Sequence, residues 1–174
     1  MSDLKKYIRS IPDFPKPGIC FYDITTLLQD AEGYKLALDQ MEQYVRSRQP
    51  DSLVAIESRG FIFGAALADR LNLGVITARK PGKLPSRTIS AEYALEYGTD
   101  SLELHADAIK KGERVVVIDD LIATGGTLQA ACTLVEKLGG EVVGISAVID
   151  LCFLSWREKI SAYDVNCLIS YDSE

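Results

Sequence analysis

Residues 115 to 127, Val-Val-Val-Ile-Asp-Asp-Leu-Ile-Ala-Thr-Gly-Gly-Thr, concentrate most of the chemistry this chain can do. Asp119 and Asp120 follow four β-branched apolar residues, which read as a short strand buried on both faces, as in a parallel sheet. Ala123-Thr124-Gly125-Gly126-Thr127 then runs into a segment with Leu128, Ala131, Cys132, Val135 and Leu138 at helical spacing. A strand, a tight Gly/Thr loop and a helix N-terminus make an anion site. N–H groups and two hydroxyls converge at the positive end of the helix dipole, and glycine lets the backbone approach a phosphate. The adjacent carboxylates suit a ribose diol, whose hydroxyls donate hydrogen bonds, or a divalent cation. A diol beside a 5′-phosphate is a ribose phosphate. Capping and turn chemistry alone produces some such joints, but an acid pair and flanking threonines favour the ligand site. The loop is not a Walker A motif, since no Gly-Lys-Ser/Thr follows, and no Gly-x-Gly-x-x-Gly occurs.

Two further segments carry candidate chemistry. Glu57-Ser58-Arg59-Gly60 follows an apolar run and precedes a helical one, so it is a second loop into a helix N-terminus, with an arginine able to fork onto phosphate oxygens. Alone, Ser58 reads equally as a cap and Arg59 as a solvated side chain. Facing a ribose-phosphate loop on the same sheet edge, the pair becomes a diphosphate site. The second segment, Arg79 to about Leu104, begins Arg79-Lys80-Pro81-Gly82-Lys83-Leu84-Pro85, whose prolines and glycine exclude regular structure and whose cations lie close together. A connection this long inside a compact domain is usually functional or disordered, and a water-excluding lid fits it. Within it, Glu96 reads either as an acid that closure brings to a substrate or as an exposed glutamate in a hairpin. The residues alone favour the latter.

These loops need elements to position them. Strands are expected at Leu53–Ile56, Val75–Ala78, Arg114–Ile118, Val142–Val148 and Val165–Ile169. Helices are expected at about residues 3–9 and 31–46, and at Phe61–Leu71, Thr127–Leu138 and Phe153–Ile160. Strand and helix alternate, so the expected fold class is α/β, a parallel twisted sheet flanked by helices on both faces, with ligands beyond the C-terminal strand ends. The 174 residues form one domain without linker or repeat.

A net charge of −6 and a pI near 4.9 argue against a nucleic-acid-binding face. Four scattered cysteines and one histidine make a structural zinc site a poor fit. No apolar run approaches the roughly 18 residues needed to span a bilayer, and the charged N-terminus lacks a signal core. A reduced, cytoplasmic setting is expected, without membrane partners. His105 and Trp156 read as packing residues.

The acid–threonine–glycine segment resembles the ribose-phosphate signature of the type I phosphoribosyltransferases. Ile11-Pro12-Asp13-Phe14-Pro15, Pro17-Gly18-Ile19, Phe21, Asp23-Ile24 and the Leu95-Glu96-Tyr97-Gly98 tetrad narrow the resemblance to the adenine phosphoribosyltransferase family, over nearly the whole chain. The resemblance implies the type I fold with a small N-terminal hood (about 1–30) and a flexible catalytic loop (about 79–104). The implied reaction joins adenine and phosphoribosyl pyrophosphate to give AMP and diphosphate, a Mg²⁺-dependent purine salvage step, in a homodimer. By the same resemblance, Asp119, Asp120, Ala123, Thr124, Gly125, Gly126 and Thr127 bind the ribose and its 5′-phosphate. Ser58, Arg59, Arg79, Lys80 and Lys83 hold diphosphate, and Cys20, Phe21 and Tyr22 meet adenine. Glu96 and Arg59 are the candidate catalytic residues. Mg²⁺ is held mainly by substrate, with Asp119 or Asp120 reaching it through water. Several relatives carry Arg where Tyr22 stands, so only a backbone contact there is secure. The rivals are a phosphoribosyltransferase for another base, and a non-catalytic regulator that senses phosphoribosyl pyrophosphate.

Overall fold

The computed structural model describes residues 4–94 and 98–173. A 3-10 turn at Leu4–Tyr7 leads into a small antiparallel pair, β1 (Arg9–Ile11) and β2 (Phe21–Asp23), which forms the hood. Helices α1 (Thr25–Gln29) and α2 (Ala31–Arg48) follow, then β3 (Ser52–Ile56), α3 (Gly60–Leu71) and β4 (Gly74–Ala78). Next come β5 (Thr88–Ala94), β6 (Thr99–His105), β7 (Arg114–Ile118), β8 (Leu121–Ile122) and α4 (Gly126–Lys137). The chain ends with β9 (Glu141–Leu151) and β10 (Val165–Tyr171).

The expected parallel sheet is present, in the order β10-β9-β7-β3-β4, with β8 also pairing β9. β3 and β7 sit at its centre and are almost wholly apolar, because helices cover both faces. Alternation along each strand divides the core. Val54, Ile56, Val115, Val117, Ile145 and Ala147 pack with α4 and the β5–β6 hairpin. Leu53, Val116, Ile118 and Val148 pack with α1, α2 and α3. Helix α2 starts where Asp30 accepts the Gly33 N–H at 2.8 Å. Among the described residues, no helix is long and apolar enough to cross a membrane.

Two expectations meet a different structure. Residues 79–104 are not irregular throughout, since β5 and β6 form a regular hairpin from Thr88 to His105 that buries Tyr93, Leu102 and Leu104. Residues 80–87 keep the loop character that the prolines impose. Residues Phe153–Ile160 form successive turns, not a helix. The Trp156 indole N–H and the Arg157 guanidinium both donate to buried Asp150, at 2.5 and 3.1 Å. The local backbone bonds run from Leu154 N–H to the Leu151 carbonyl and from Lys159 N–H to the Trp156 carbonyl, a three-residue spacing. The anchoring of two neighbouring side chains on one carboxylate outweighs helix propensity here.

The hood is fastened by Asp23, which is buried and receives Arg9 (2.5 and 3.2 Å) and the Thr25 N–H and hydroxyl. These donors, Arg9 foremost, hold its carboxyl down at about 2. A depressed carboxylate contributes stability above its unfolded pKa and loses it as the pH falls through its folded one. Asp23→Asn should therefore lower the Tm at neutral pH by roughly 2–4 °C, the equivalent of about 1 kcal/mol for a partly exposed pair. Thermal unfolding followed by circular dichroism should show the gap to wild type closing as the pH falls from the ordinary 3.8 toward about 2.

Candidate active site

Because β7, β3 and β4 are adjacent and parallel, their C-terminal ends open side by side. The sheet thus juxtaposes Asp119-Asp120, Glu57 to Gly60, and Arg79 to Lys83, the three segments singled out above. Between them lies a cleft of about 290 Å³ whose walls include Glu57, Ser58, Arg59, Lys80, Asp119, Asp120 and Thr127.

Asp119 and Asp120 are both buried. Burial, with the Asp120 charge next in size, pushes the Asp119 carboxyl well above the usual carboxylate range. The backbone around the pair is fully engaged. Asp119 N–H donates to the Ser146 carbonyl at 3.1 Å, and the Asp120 carbonyl accepts from Val148 and Ile149 at 3.1 and 3.0 Å. The Asp120 N–H closes onto Asp119 Oδ1 at 2.9 Å. Helix α3 reaches this floor only because it begins with glycine. A Cβ on Gly60 would lie 2.9 Å from the Ile118 carbonyl oxygen and 3.1 Å from Asp119 Oδ1.

Arg59, Arg79 and Lys80 each have a carboxylate partner. Arg59 Nε donates to Asp120 Oδ2 at 2.6 Å, stitching the loop after β3 to the loop after β7. Arg79 grips Glu57 through Nη2 and Nε at 3.0 and 3.3 Å, and the Lys80 N–H adds a third bond at 2.9 Å. Arg79 holds the Glu57 carboxyl below its ordinary range. The Lys80 ammonium contacts Tyr93 Oη and Asp100 Oδ2. Arg79 and Lys83 lie outside the cleft's walls, and Lys83 is exposed.

Of the Ala123–Thr127 loop, Thr127 lines the cleft with the acid pair, while Ala123, Thr124, Gly125 and Gly126 are not part of its wall. Gly125 takes φ +74°, and α4 begins at Gly126, so the unpaired N–H groups of its first turn face the loop. A side chain at Gly125 would also be crowded. A Cβ there would lie 3.1 Å from Trp156 Cβ and 3.2 Å from the Trp156 carbonyl oxygen. Trp156 is thus the floor of the loop, itself moored to Asp150. That role is invisible locally; the only hint is an acid, Asp150, closing the apolar run of β9. Glu57 has a role that Ser58 and Arg59 beside it do not announce, and the signal for it is an acid among three cations.

On the hood, Phe21 is partly exposed and meets Phe14 edge-on, with ring centroids 5.3 Å apart. Tyr22 points the other way, stacked on Tyr171 at 3.7 Å, with its hydroxyl donating to the Ser173 carbonyl at 3.1 Å. Cys20, Phe21 and Tyr22 are not part of the cleft wall. Glu96 falls outside the described residues.

The phosphoribosyl transferase domain family matches residues 23–172. An adenine phosphoribosyltransferase from Brachyspira hyodysenteriae is 58% identical over 169 residues, covering 97% of this chain and 99% of that one. A crystal structure of the Thermoanaerobacter pseudethanolicus adenine phosphoribosyltransferase superposes with a TM-score of 0.93 at 51% identity, covering 97% and 98% of the two chains. The Saccharomyces cerevisiae enzyme, solved with adenine and an imino-altritol bisphosphate, gives 0.91 at 36% identity over 95% and 96%.

The acid pair carries its own prediction. A carboxyl whose folded pKa is raised costs stability as the pH climbs from its unfolded value through its folded one. Asp119→Asn keeps the Oδ1 acceptor for the Asp120 N–H while removing the buried charge. Calorimetric melting near neutral pH should show the variant a few degrees more stable than wild type, with the advantage fading in acid, where wild-type Asp119 is itself protonated.

Proposed function

We propose the working of the site from one premise: this chain belongs to the adenine phosphoribosyltransferase family. It is an enzyme that transfers the phosphoribosyl group of phosphoribosyl pyrophosphate to adenine, releasing AMP and diphosphate in purine salvage. One observation carries the assignment of parts: the cleft sets a helix N-terminus, a buried acid pair and a cationic loop side by side. Those three match, in order, a 5′-phosphate, a ribose diol and a diphosphate.

In this reading Ala123 to Thr127 hold the 5′-phosphate with backbone N–H groups and the hydroxyls of Thr124 and Thr127. Asp119 and Asp120 accept hydrogen bonds from the ribose hydroxyls. Ser58, Arg59 and Lys80 receive the diphosphate, joined by Arg79 and Lys83 from the segment after β4. Cleavage of the C1–O bond leaves an oxocarbenium-like sugar and a departing anion, so fixed cations aimed at that anion do most of the work. Phe21 offers a ring face to adenine, and the backbone at Cys20 and Tyr22 reads its edge. Because the Tyr22 side chain is committed to Tyr171, only its backbone is available to the base. Glu96 takes or gives the proton on the purine's imidazole ring, and closure of the loop carrying it excludes water.

The acid pair also fits Mg²⁺, because a divalent cation would relieve the buried charge that raises Asp119. Among the described residues no cluster of three or more His, Cys, Asp or Glu could hold a metal alone. Asp119 or Asp120 would reach the ion through water, and substrate phosphates would supply the remaining oxygens, as is usual for this ion. When bound, Mg²⁺ supplies charge neutralisation on the phosphate oxygens. The enzyme works as a homodimer in a reducing cytoplasm, where its free thiols persist. Exposed Ile62 on α3 and Val75 on edge strand β4 offer an apolar face to a second copy.

The test is a panel of bases assayed for diphosphate release, in which adenine should be preferred over hypoxanthine, guanine, xanthine and orotate. Two variants examine the parts. Arg59→Ala should weaken inorganic pyrophosphate by on the order of tenfold to a hundredfold in titration calorimetry, and AMP far less. Equal losses for both ligands would remove Arg59 from the diphosphate site. Glu96→Gln should slow AMP formation in single-turnover kinetics by roughly 10²-fold while the Kd of phosphoribosyl pyrophosphate barely moves.

A further inference from the structure

Lys80 stands in the cleft wall, yet the carboxylate that holds it comes from outside the cleft. Its ammonium contacts Asp100 Oδ2 and lies 2.5 Å from Tyr93 Oη, while Tyr93 donates to Asp100 Oδ2 at 3.1 Å. Asp100 and Tyr93 face each other across the β5–β6 hairpin, and neither lines the cleft. The other two pairs differ. Asp120, the partner of Arg59, is itself a wall of the cleft, and Glu57 grips Arg79 with both oxygens.

The backbone at Lys80 has little freedom. Its own N–H is bound by Glu57 at 2.9 Å, and Arg79 exchanges backbone bonds with Glu103 at 3.0 and 2.8 Å. The ammonium can therefore move only by rotation of its side chain about a pinned Cα. Two of its three donors are spent on Tyr93 and Asp100, so the ammonium cannot turn fully toward a ligand while both contacts hold. Both charged partners are partly exposed, with side-chain exposures of 39% and 30%. Water reaches the contact, so a stronger anion can exchange into it.

We propose that Asp100, assisted by Tyr93, is a positioning residue that holds Lys80 as an internal counter-ion, which an incoming diphosphate must displace. This rests on the assignment of the cleft to diphosphate above. A multiply charged diphosphate outcompetes one carboxylate for the ammonium. When the product diphosphate leaves, Asp100 recaptures Lys80 and keeps the anion from being held too tightly. Asp100 thus lowers affinity for the leaving group, although a survey of the site for anion-binding residues passes it over.

The test is calorimetric titration of inorganic pyrophosphate with Mg²⁺, and separately of AMP, into wild type, Asp100→Asn, Lys80→Met and the double variant. Asp100→Asn should tighten pyrophosphate roughly two- to fivefold and leave AMP unchanged. Tyr93→Phe, which removes one tether and keeps the buried ring, should shift pyrophosphate in the same direction by less. It also stands in should Asp100→Asn fail to fold. Lys80→Met should weaken pyrophosphate, and adding Asp100→Asn to it should change nothing further. Unchanged or weaker pyrophosphate binding in Asp100→Asn overturns the proposal. So does equal tightening with Lys80 absent, which would reduce Asp100 to a diffuse repulsive charge. Failure of the wild type to bind pyrophosphate at all would overturn the reading of the cleft itself, and the proposal with it.

Discussion

Two adjacent carboxylates cannot be buried at a strand end unless something compensates them, and much of this molecule is arranged around that requirement. Asp119 and Asp120 sit on the floor of the cleft, nearly out of reach of bulk water. Backbone N–H groups, the Arg59 guanidinium and the positive end of α4 are brought to them by the order of the strands. The compensation is partial, as the raised Asp119 carboxyl records. A site built this way is least comfortable when empty, and a ligand that brings hydroxyl donors or a cation improves it. Stability has been exchanged for affinity at this point of the chain.

The cationic half of the cleft is organised on the opposite plan. Arg59, Arg79 and Lys80 are each neutralised within the protein. Their side chains are therefore held in place before any anion arrives, which reduces the rotamer entropy lost on binding. The cost is competition between internal and external anions. It is graded by how firmly each carboxylate is itself held, from bidentate Glu57 to water-accessible Asp100. Neutralisation also explains how an acidic chain can keep a polyanion site without a basic surface.

The central strands, α3, α4 and the positions of the two loops that lead into these helices were legible in the sequence because their signals are local. β3 and β7 are short unbroken apolar runs, and Gly125 follows a threonine at the one position that needs a left-handed backbone. What was not legible depends on partners distant in sequence. The turns at 153–160 exist because Asp150 captures Trp156 and Arg157, a contact across a bend that no helical periodicity can report. A hairpin around Glu96 was legible, but its extent and buried face were masked by the proline-rich stretch before it, although Tyr93, Leu102 and Leu104 show strand-like alternation. Tyr22 illustrates an intermediate case. Strand period two puts it opposite Phe21, but only the fold shows which face is the core.

The hood's mooring has a consequence for how the chain matures. Tyr22 is fixed by Tyr171 and by the carbonyl of Ser173, the latter 151 positions away in sequence. Closing so long a loop is entropically expensive, and contacts of that separation form late. The parallel sheet can assemble from β3, β4 and β7 while the C-terminal strand is still being made, but the Tyr22 ring lacks its stacking partner until Tyr171 emerges. The hood is therefore among the last parts of the chain to settle into place during synthesis. A chain truncated before β10 would leave the hood without this mooring, even where the loops after β3 and β7 had already formed.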